Sequence, residues 1–203
     1  MHRLDLATGG LLVVAKTRTA MQTLSAAFAA REVTKRYRAV LKGDLRGDPQ
    51  SRSPSDAGHK HGRGRGQQHD EQQPPPAQRA GGDADHQPHL GTCAAAIGGQ
   101  DAVTHWRVVT VGNGKTLVDY YPKTGRTHQL RKHSKHMLAP IMGDPRYRLP
   151  RDVADDAEAA AGLYLWACGV AFPPSAVPWR GDGVGLDVSI DPPPRFLDAV
   201  TEI

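Results

Sequence analysis

Apolar residues along the first third of the chain fall into short patterned runs. Leu11-Leu12-Val13-Val14-Ala15 is apolar and partly β-branched, as a buried strand is, and it follows a turn signal at Thr8-Gly9-Gly10. From Thr17 to Arg31 the spacing changes. Met21, Leu24, Ala27 and Phe28 make one stripe at helical period, with Thr17 or Thr19 available to cap it. Lys35 to Gly43 alternates again and predicts a strand with Arg36 and Arg38 on one face and Lys35, Tyr37 and Ala39 on the other. Ala102–Val111 and Lys115–Tyr121 flank Gly112-Asn113-Gly114, a hairpin signal because Asn and Gly both tolerate positive φ. After Gly125, Thr127 is an N-cap candidate for a helix running to about Met137. Pro140–Tyr147 reads as a turn-rich loop, Leu163–Phe172 as core strand ended by Pro173-Pro174, and Val184–Ile190 as a further strand.

Between Arg46 and Thr92 this patterning stops. Leu90 is the one aliphatic side chain larger than alanine there, and aromatic residues are absent. Gly62-Arg63-Gly64-Arg65-Gly66 and Pro74-Pro75-Pro76 are low-complexity tracts that cannot bury enough apolar surface to offset their ordering entropy. The expectation is one domain formed by residues 1–45 and 100–203, with 46–99 a disordered insertion. Composition agrees, since only 38% of residues are hydrophobic and 5% aromatic.

Charge is unevenly spread. Residues 1–43 carry 8 Lys and Arg against 2 Asp and Glu, and residues 101–150 carry 9 against 3. The last 53 residues reverse the sign, with 3 against 9. Two basic blocks around a near-neutral stretch can assemble one basic face, which suits a phosphate backbone. Cys93 and Cys168 form no paired motif, which argues against a zinc ribbon or disulfide scaffold and fits a reducing, intracellular setting. No apolar run has the length of a membrane span.

The residues that carry chemistry sit at the edges of the patterned runs. Asp5 lies two positions from Arg3 beside the first turn, and is either one half of a surface ion pair or an active carboxylate. Arg126, Arg131 and Lys135 surround the start of the second helix, where a carboxylate from elsewhere would be held ionised. Tyr37, flanked by cations, is a candidate stacking platform for a base or a core tyrosine. His128, His133 and His136 have no metal-binding spacing, and the histidines of the low-complexity stretch lack a rigid frame. Asp152, Asp155, Asp156 and Glu158 read as a solvated helix face.

Four motifs in order now resemble the RluA-type family of RNA pseudouridine synthases. They are His2-Arg3-Leu4-Asp5 with Thr8 and Gly10, Lys35-x-Tyr37, Thr124-Gly125-Arg126-Thr127-His128-Gln129-Leu130-Arg131-x-His133, and Pro140-Ile141-Met142-Gly143-Asp144-x-x-Tyr147. The resemblance covers about 1–43 and 101–175. It implies an α+β fold with a mixed, mainly antiparallel central sheet and flanking helices. It also implies catalysis by Asp5 with Tyr37 stacked on the target base and Arg131 paired with the aspartate. Arg126 is the second choice for that pairing. Arg3, Arg126, His128 and Gln129 would contact the substrate. The reaction detaches a uridine at its glycosidic nitrogen and rejoins it through carbon 5. No redox or hydrolytic step occurs, so no cofactor or metal is expected.

The partner implied is rRNA or tRNA, bound by a monomer. A target uridine has to leave its stack to be reached, which calls for an aromatic contact and backbone-holding cations. The chain departs from the family pattern in several places. Gly9 stands where serine is usual, Leu138-Ala139 where a Gly-His pair is common, and Trp166 where a histidine is usual. About two strands and a small RNA-binding module that usually precede His2 are also missing, so a fragment or a misplaced start is expected. These departures raise a second reading, a non-catalytic RNA-binding remnant of the family.

Overall fold

The computed structural model describes residues 2–46, 89–150 and 160–201. The Arg-Gly and proline tracts, His59, His61, His69, His86 and the acidic run 152–158 lie outside the described residues.

The fold is built around strand β2 (Thr34–Lys42), where Ala39, Val40 and Leu41 are completely buried. On one side it pairs antiparallel with β5 (Lys115–Pro122), which pairs with β4 (Thr104–Gly112) and then β3 (Leu90–Cys93). On the other side it pairs antiparallel with β6 (Leu165–Phe172). The far edge of β6 is shared: β1 (Gly9–Gly10) runs parallel to its start and β7 (Leu186–Ser189) antiparallel to its end. Seven strands thus form one mixed, mainly antiparallel sheet. Helices α1 (Arg18–Ala29), α2 (Gln129–His136) and the single turn α3 (Arg195–Asp198) accompany it. The expected α+β architecture is the one observed.

The alternation expected of β2 organises both faces of the sheet. One row of paired residues runs Gly10, Ala167, Tyr37, Tyr120, Trp106, Gly91, and the next runs Gly9, Trp166, Arg38, Asp119, Arg107, Leu90. Successive rows point to opposite faces. The first row places Tyr37 beside Tyr120, whose hydroxyl shares a 2.7 Å hydrogen bond with Ser134 of α2. In the second, Asp119 is fully buried and takes Arg38 Nε at 2.7 Å and Arg107 Nη2 at 2.9 Å. Burial alone would raise the Asp119 carboxyl, but the bonds from these two arginines hold it below the usual range.

Several elements differ from expectation for physical reasons. Leu11–Ala15 is not a strand, because beyond Cys168 the edge of β6 that it would need is occupied by β7. The run still alternates: Leu11, Val13 and Ala15 pack on a second core formed by Leu24, Val33, Val170 and Phe172, while Leu12 and Val14 are exposed. The first turn also falls earlier, closed by a 2.9 Å bond from the Thr8 amide to the Asp5 carbonyl, with Gly9 and Gly10 already in the ladder. Met21 is exposed, so the stripe of α1 buries only from Leu24 onward, whereas Thr17 caps the helix as expected. The hairpin at Asn113-Gly114 has both central residues at positive φ, 52° and 65°.

Order also resumes before residue 100. Leu90–Cys93 forms the outer strand, since backbone pairing with β4 needs few apolar side chains of its own. Gly91 there leaves room for the Trp106 ring, just as Gly9 leaves room for Trp166 across the β1–β6 pair. A Cβ at Gly9 would overlap the indole, so the two departures from the family pattern, Gly9 and Trp166, are one packing arrangement. Gly9→Ser is therefore expected to cost about 2 kcal/mol of stability through overpacking. Combined with Trp166→His it should cost less than the two single changes added, a coupling measurable by denaturant unfolding of all four proteins.

Candidate active site

The turn and the glycine pair just after Asp5 position it. The bond closing the turn at Thr8 and the pinning of Gly9-Gly10 on β6 fix its backbone, and Gly10 adopts φ +109° where a side chain would strike the Ala167 backbone. The carboxylate opens into a cleft of about 540 Å³ also lined by Arg3, Lys35, Tyr37, Arg126 and His128. Asp5 retains 25% side-chain exposure there. Its Oδ1 faces His128 Nε2 at 3.8 Å and its Oδ2 faces Arg131 Nη1 at 3.9 Å. Both separations exceed hydrogen-bond length, so the attraction is electrostatic and the oxygens remain open to a ligand.

Arg131 is held elsewhere. Its Nε and Nη2 donate to Asp144 Oδ2 and Oδ1 at 2.7 and 2.8 Å, a fork-on-fork pair buried on both sides. The amides of Arg146 and Tyr147 also donate to Asp144 Oδ1, and the guanidinium lies 4.9 Å from the centre of the Tyr147 ring. Burial would raise the Asp144 carboxyl, but these hydrogen bonds keep it below the ordinary range. The bond to Asp144 holds Arg131 charged, leaving Nη1 directed at Asp5.

Tyr147 also touches the other group that faces Asp5. Its hydroxyl shares a 2.8 Å hydrogen bond with His128 Nδ1, so one loop side chain contacts both groups that face Asp5. The loop itself is fixed against β2, with the Met142 amide donating to the Val40 carbonyl and the Lys42 amide to that of Pro140. Asp144 and Tyr147 were legible only as motif members. Their roles depend on the loop folding back on α2, for which the sequence carries no direct signal.

The expected N-cap is corrected. α2 begins at Gln129, and the capping position belongs to His128 in the left-handed region at φ 56°, ψ 32°, rather than to Thr127. The Gln129 side chain replaces the missing cap. Its Oε1 accepts from the Thr124 hydroxyl at 2.7 Å and the Arg126 amide at 3.0 Å, and its Nε2 donates to Val103 O and Thr104 Oγ1. That amide is fully committed to joining α2 to β4 and has no bond left for substrate. His133 belongs to the same frame: Nε2 donates to the Ala95 carbonyl, and Nδ1 then accepts from the Thr104 hydroxyl.

Tyr37 lies on the cleft side of β2, next to the irregularity where Cys168 drops out of the β2–β6 register. Its phenol is pushed up to about 12 by burial, with Asp5 adding to the effect, so the hydroxyl is neutral. Arg126, the second choice for pairing with Asp5, instead donates from Nε to the Asp101 carbonyl at 3.0 Å. Arg3 lines the cleft, exposed and without an ion pair among the described residues. Asp5, Tyr37, His128 and Arg131 therefore come together, Arg3 and Arg126 border them, and Gln129 lines the same cleft with its amide committed to Val103 and Thr104.

A mixed sheet carrying one open carboxylate in a basic cleft is an α+β domain suited to a polyanion. Comparison with known proteins agrees. The family model described as RNA pseudouridylate synthase matches residues 1–136, and the chain belongs to that family. A ribosomal large subunit pseudouridine synthase D of Xanthomonas campestris is 33% identical over 159 residues, covering 76% of this chain and 40% of that protein. The Escherichia coli K12 protein of the same name is 32% identical over 152 residues, covering 72% and 36%. The chain thus spans about two fifths of the curated relatives it matches. Among solved structures, human RNA pseudouridylate synthase domain containing 4 aligns with a TM-score of 0.61 at 20% identity, covering 97% of this chain and 72% of that one. Human RNA pseudouridylate synthase domain containing 1 aligns at 0.59 and 21%, covering 96% and 70%, and these two likenesses bear on the fold.

Removing Asp144 strands a buried guanidinium. Asp144→Ala is expected to lose about 3–5 kcal/mol in urea unfolding. Because Asp144 titrates below the ordinary range when folded, its stabilisation is complete above about pH 4 and is lost as pH falls through the folded value. Unfolding curves from pH 7 to pH 3 should therefore converge for the parent and Asp144→Asn toward the acid end.

Proposed function

We propose that this chain carries the catalytic domain of an RNA pseudouridine synthase and that Asp5 is its reacting carboxylate. The observation that carries this reading is that Arg131 and the His128 imidazole face the two oxygens of Asp5 without bonding to them, in a cleft that also holds Tyr37. Such a carboxylate is free to add to the base, to attack the sugar carbon, or to take a sugar proton. On each route the bond from C1′ to N1 breaks and one from C1′ to C5 forms. The proton on C5 is lost and N1 gains one, so the reaction is a net isomerisation. Tyr37, neutral and on the same cleft wall, gives the displaced base an aromatic face, and Arg3, Arg126 and His128 supply contacts around it. Gln129 contributes by holding the start of α2.

The substrate class rests on the basic cleft and on relatives named for the large ribosomal subunit, so rRNA is favoured over tRNA. The working domain is residues 1–45 together with the chain from about 90 onward, which includes β3. A second reading is a remnant that binds RNA without acting on it, to which the departures from the family pattern at Gly9 and Trp166 point.

Incubating the chain with unmodified ribosomal and transfer RNA transcripts and quantifying pseudouridine by nucleoside mass spectrometry separates the two. Product should form with the parent and fall at least about 1,000-fold with Asp5→Asn, while RNA binding is unchanged. Tyr37→Phe should keep stacking, whereas Tyr37→Ala should weaken RNA binding by about 1–3 kcal/mol. Binding without product from parent and variant alike would select the remnant.

A further inference from the structure

One end of the cleft is more basic than the reaction requires. Lys35 precedes Tyr37 by two residues in β2, so both side chains lie on the same face, about 6.5 Å apart along the strand. Lys35 is half-buried, and Arg31, which leaves α1 in the left-handed region at φ 61°, lines the same end. Neither has a carboxylate within ion-pair distance among the described residues, and Glu32, between them in sequence, is exposed and pairs with neither. Arg38, Arg107 and Arg131, by contrast, each hold a buried aspartate. His2 completes the end, its ring stacked on Phe28 at 5.1 Å and 11°.

A partly desolvated cation without a counter-ion is unfavourable, and an anionic ligand relieves the cost. We propose that Lys35, Arg31 and His2 form a seat for the phosphodiester next to the target uridine, one strand repeat from the base on Tyr37. The proposal rests on the RNA reading above. Burial, followed by Arg31, lowers the Lys35 ammonium, and burial, followed by Lys35, lowers the His2 imidazole. The neutral imidazole keeps one ring N–H to donate to a phosphate oxygen.

Lys35→Met keeps the apolar stem and discards the charge, so the variant folds, and its melting temperature should rise by about 2–4 °C. Binding is read by fluorescence anisotropy with a uridine-centred pentaribonucleotide. The variant should bind about tenfold more weakly, with a salt slope shallower by about one, while Arg18→Gln on the exposed start of α1 changes neither. Replacing the phosphates flanking the uridine one at a time with methylphosphonate identifies the linkage. At one of them the parent should lose the same factor and Lys35→Met nothing further.

Equal binding by parent and Lys35→Met overturns the seat, as do losses that simply add. If inorganic phosphate stabilises the parent more than the variant but no methylphosphonate position matters, the seat is for a free anion and the proposal fails. Failure of the function itself reads differently: no pseudouridine forms from any transcript, while the coupling between Lys35 and one linkage persists.

Discussion

The buried pair between Arg131 and Asp144 is the constraint on which the site depends. It joins α2 to the 140–147 loop, and that loop is hydrogen-bonded to the inner end of β2, so one ion pair links a helix, a loop and the central strand. Desolvating both charges is costly, and the cost is offset because every strong donor around Asp144 is used, two from the guanidinium and two from the backbone. One guanidinium nitrogen remains, with a fixed direction. A side chain so held can face Asp5 at 3.9 Å without closing on it, and a carboxylate not closed upon can react.

A comparable division of labour runs through the sheet. The row containing Tyr37 looks into the cleft, and the row containing Asp119 holds the opposite face together with Arg38 and Arg107. Two tryptophans anchor the sheet's margins, each over a glycine in an edge strand, Trp106 on Gly91 and Trp166 on Gly9. The second contact adjoins the glycine pair that fixes Asp5. A residue exchange on β6 is therefore felt at the turn carrying the carboxylate, although Trp166 is on the other side of the sheet from Tyr37. Edge strands this short have little stability of their own, and the indole packing supplies part of the stability that pairing alone does not.

The cleft gathers its charge from both basic blocks of the chain. Arg3, Arg31 and Lys35 come from the first, and Lys123 and Arg126 from the second. β2 and β5 bring the blocks together because they are neighbours in the sheet. Among the described residues lining the cleft only Asp5 opposes this charge, which sets it apart from the aspartates that are locked into ion pairs.

Much of this was readable from residue order. The strand at Lys35–Gly43 with its two faces, the Thr17 cap and the Asn113-Gly114 hairpin arise from local periodicity and turn chemistry, which act over a few residues, whereas the motifs around Asp5 and Arg131 were legible through their resemblance to a family. Competition and proximity needed tertiary structure. Leu11–Ala15 has the composition of a strand but loses its ladder to β7, some 175 residues away in the chain. Leu90–Cys93 has little apolar character and gains order by pairing with β4. Thr127 is the better capping residue by type, yet His128 takes the position and Gln129 supplies the bonds. The partnership of Arg131 with Asp144, and of Tyr147 with His128, arises only when the loop returns to the helix, because side chains 13 or 19 residues apart meet through folding and not through periodicity.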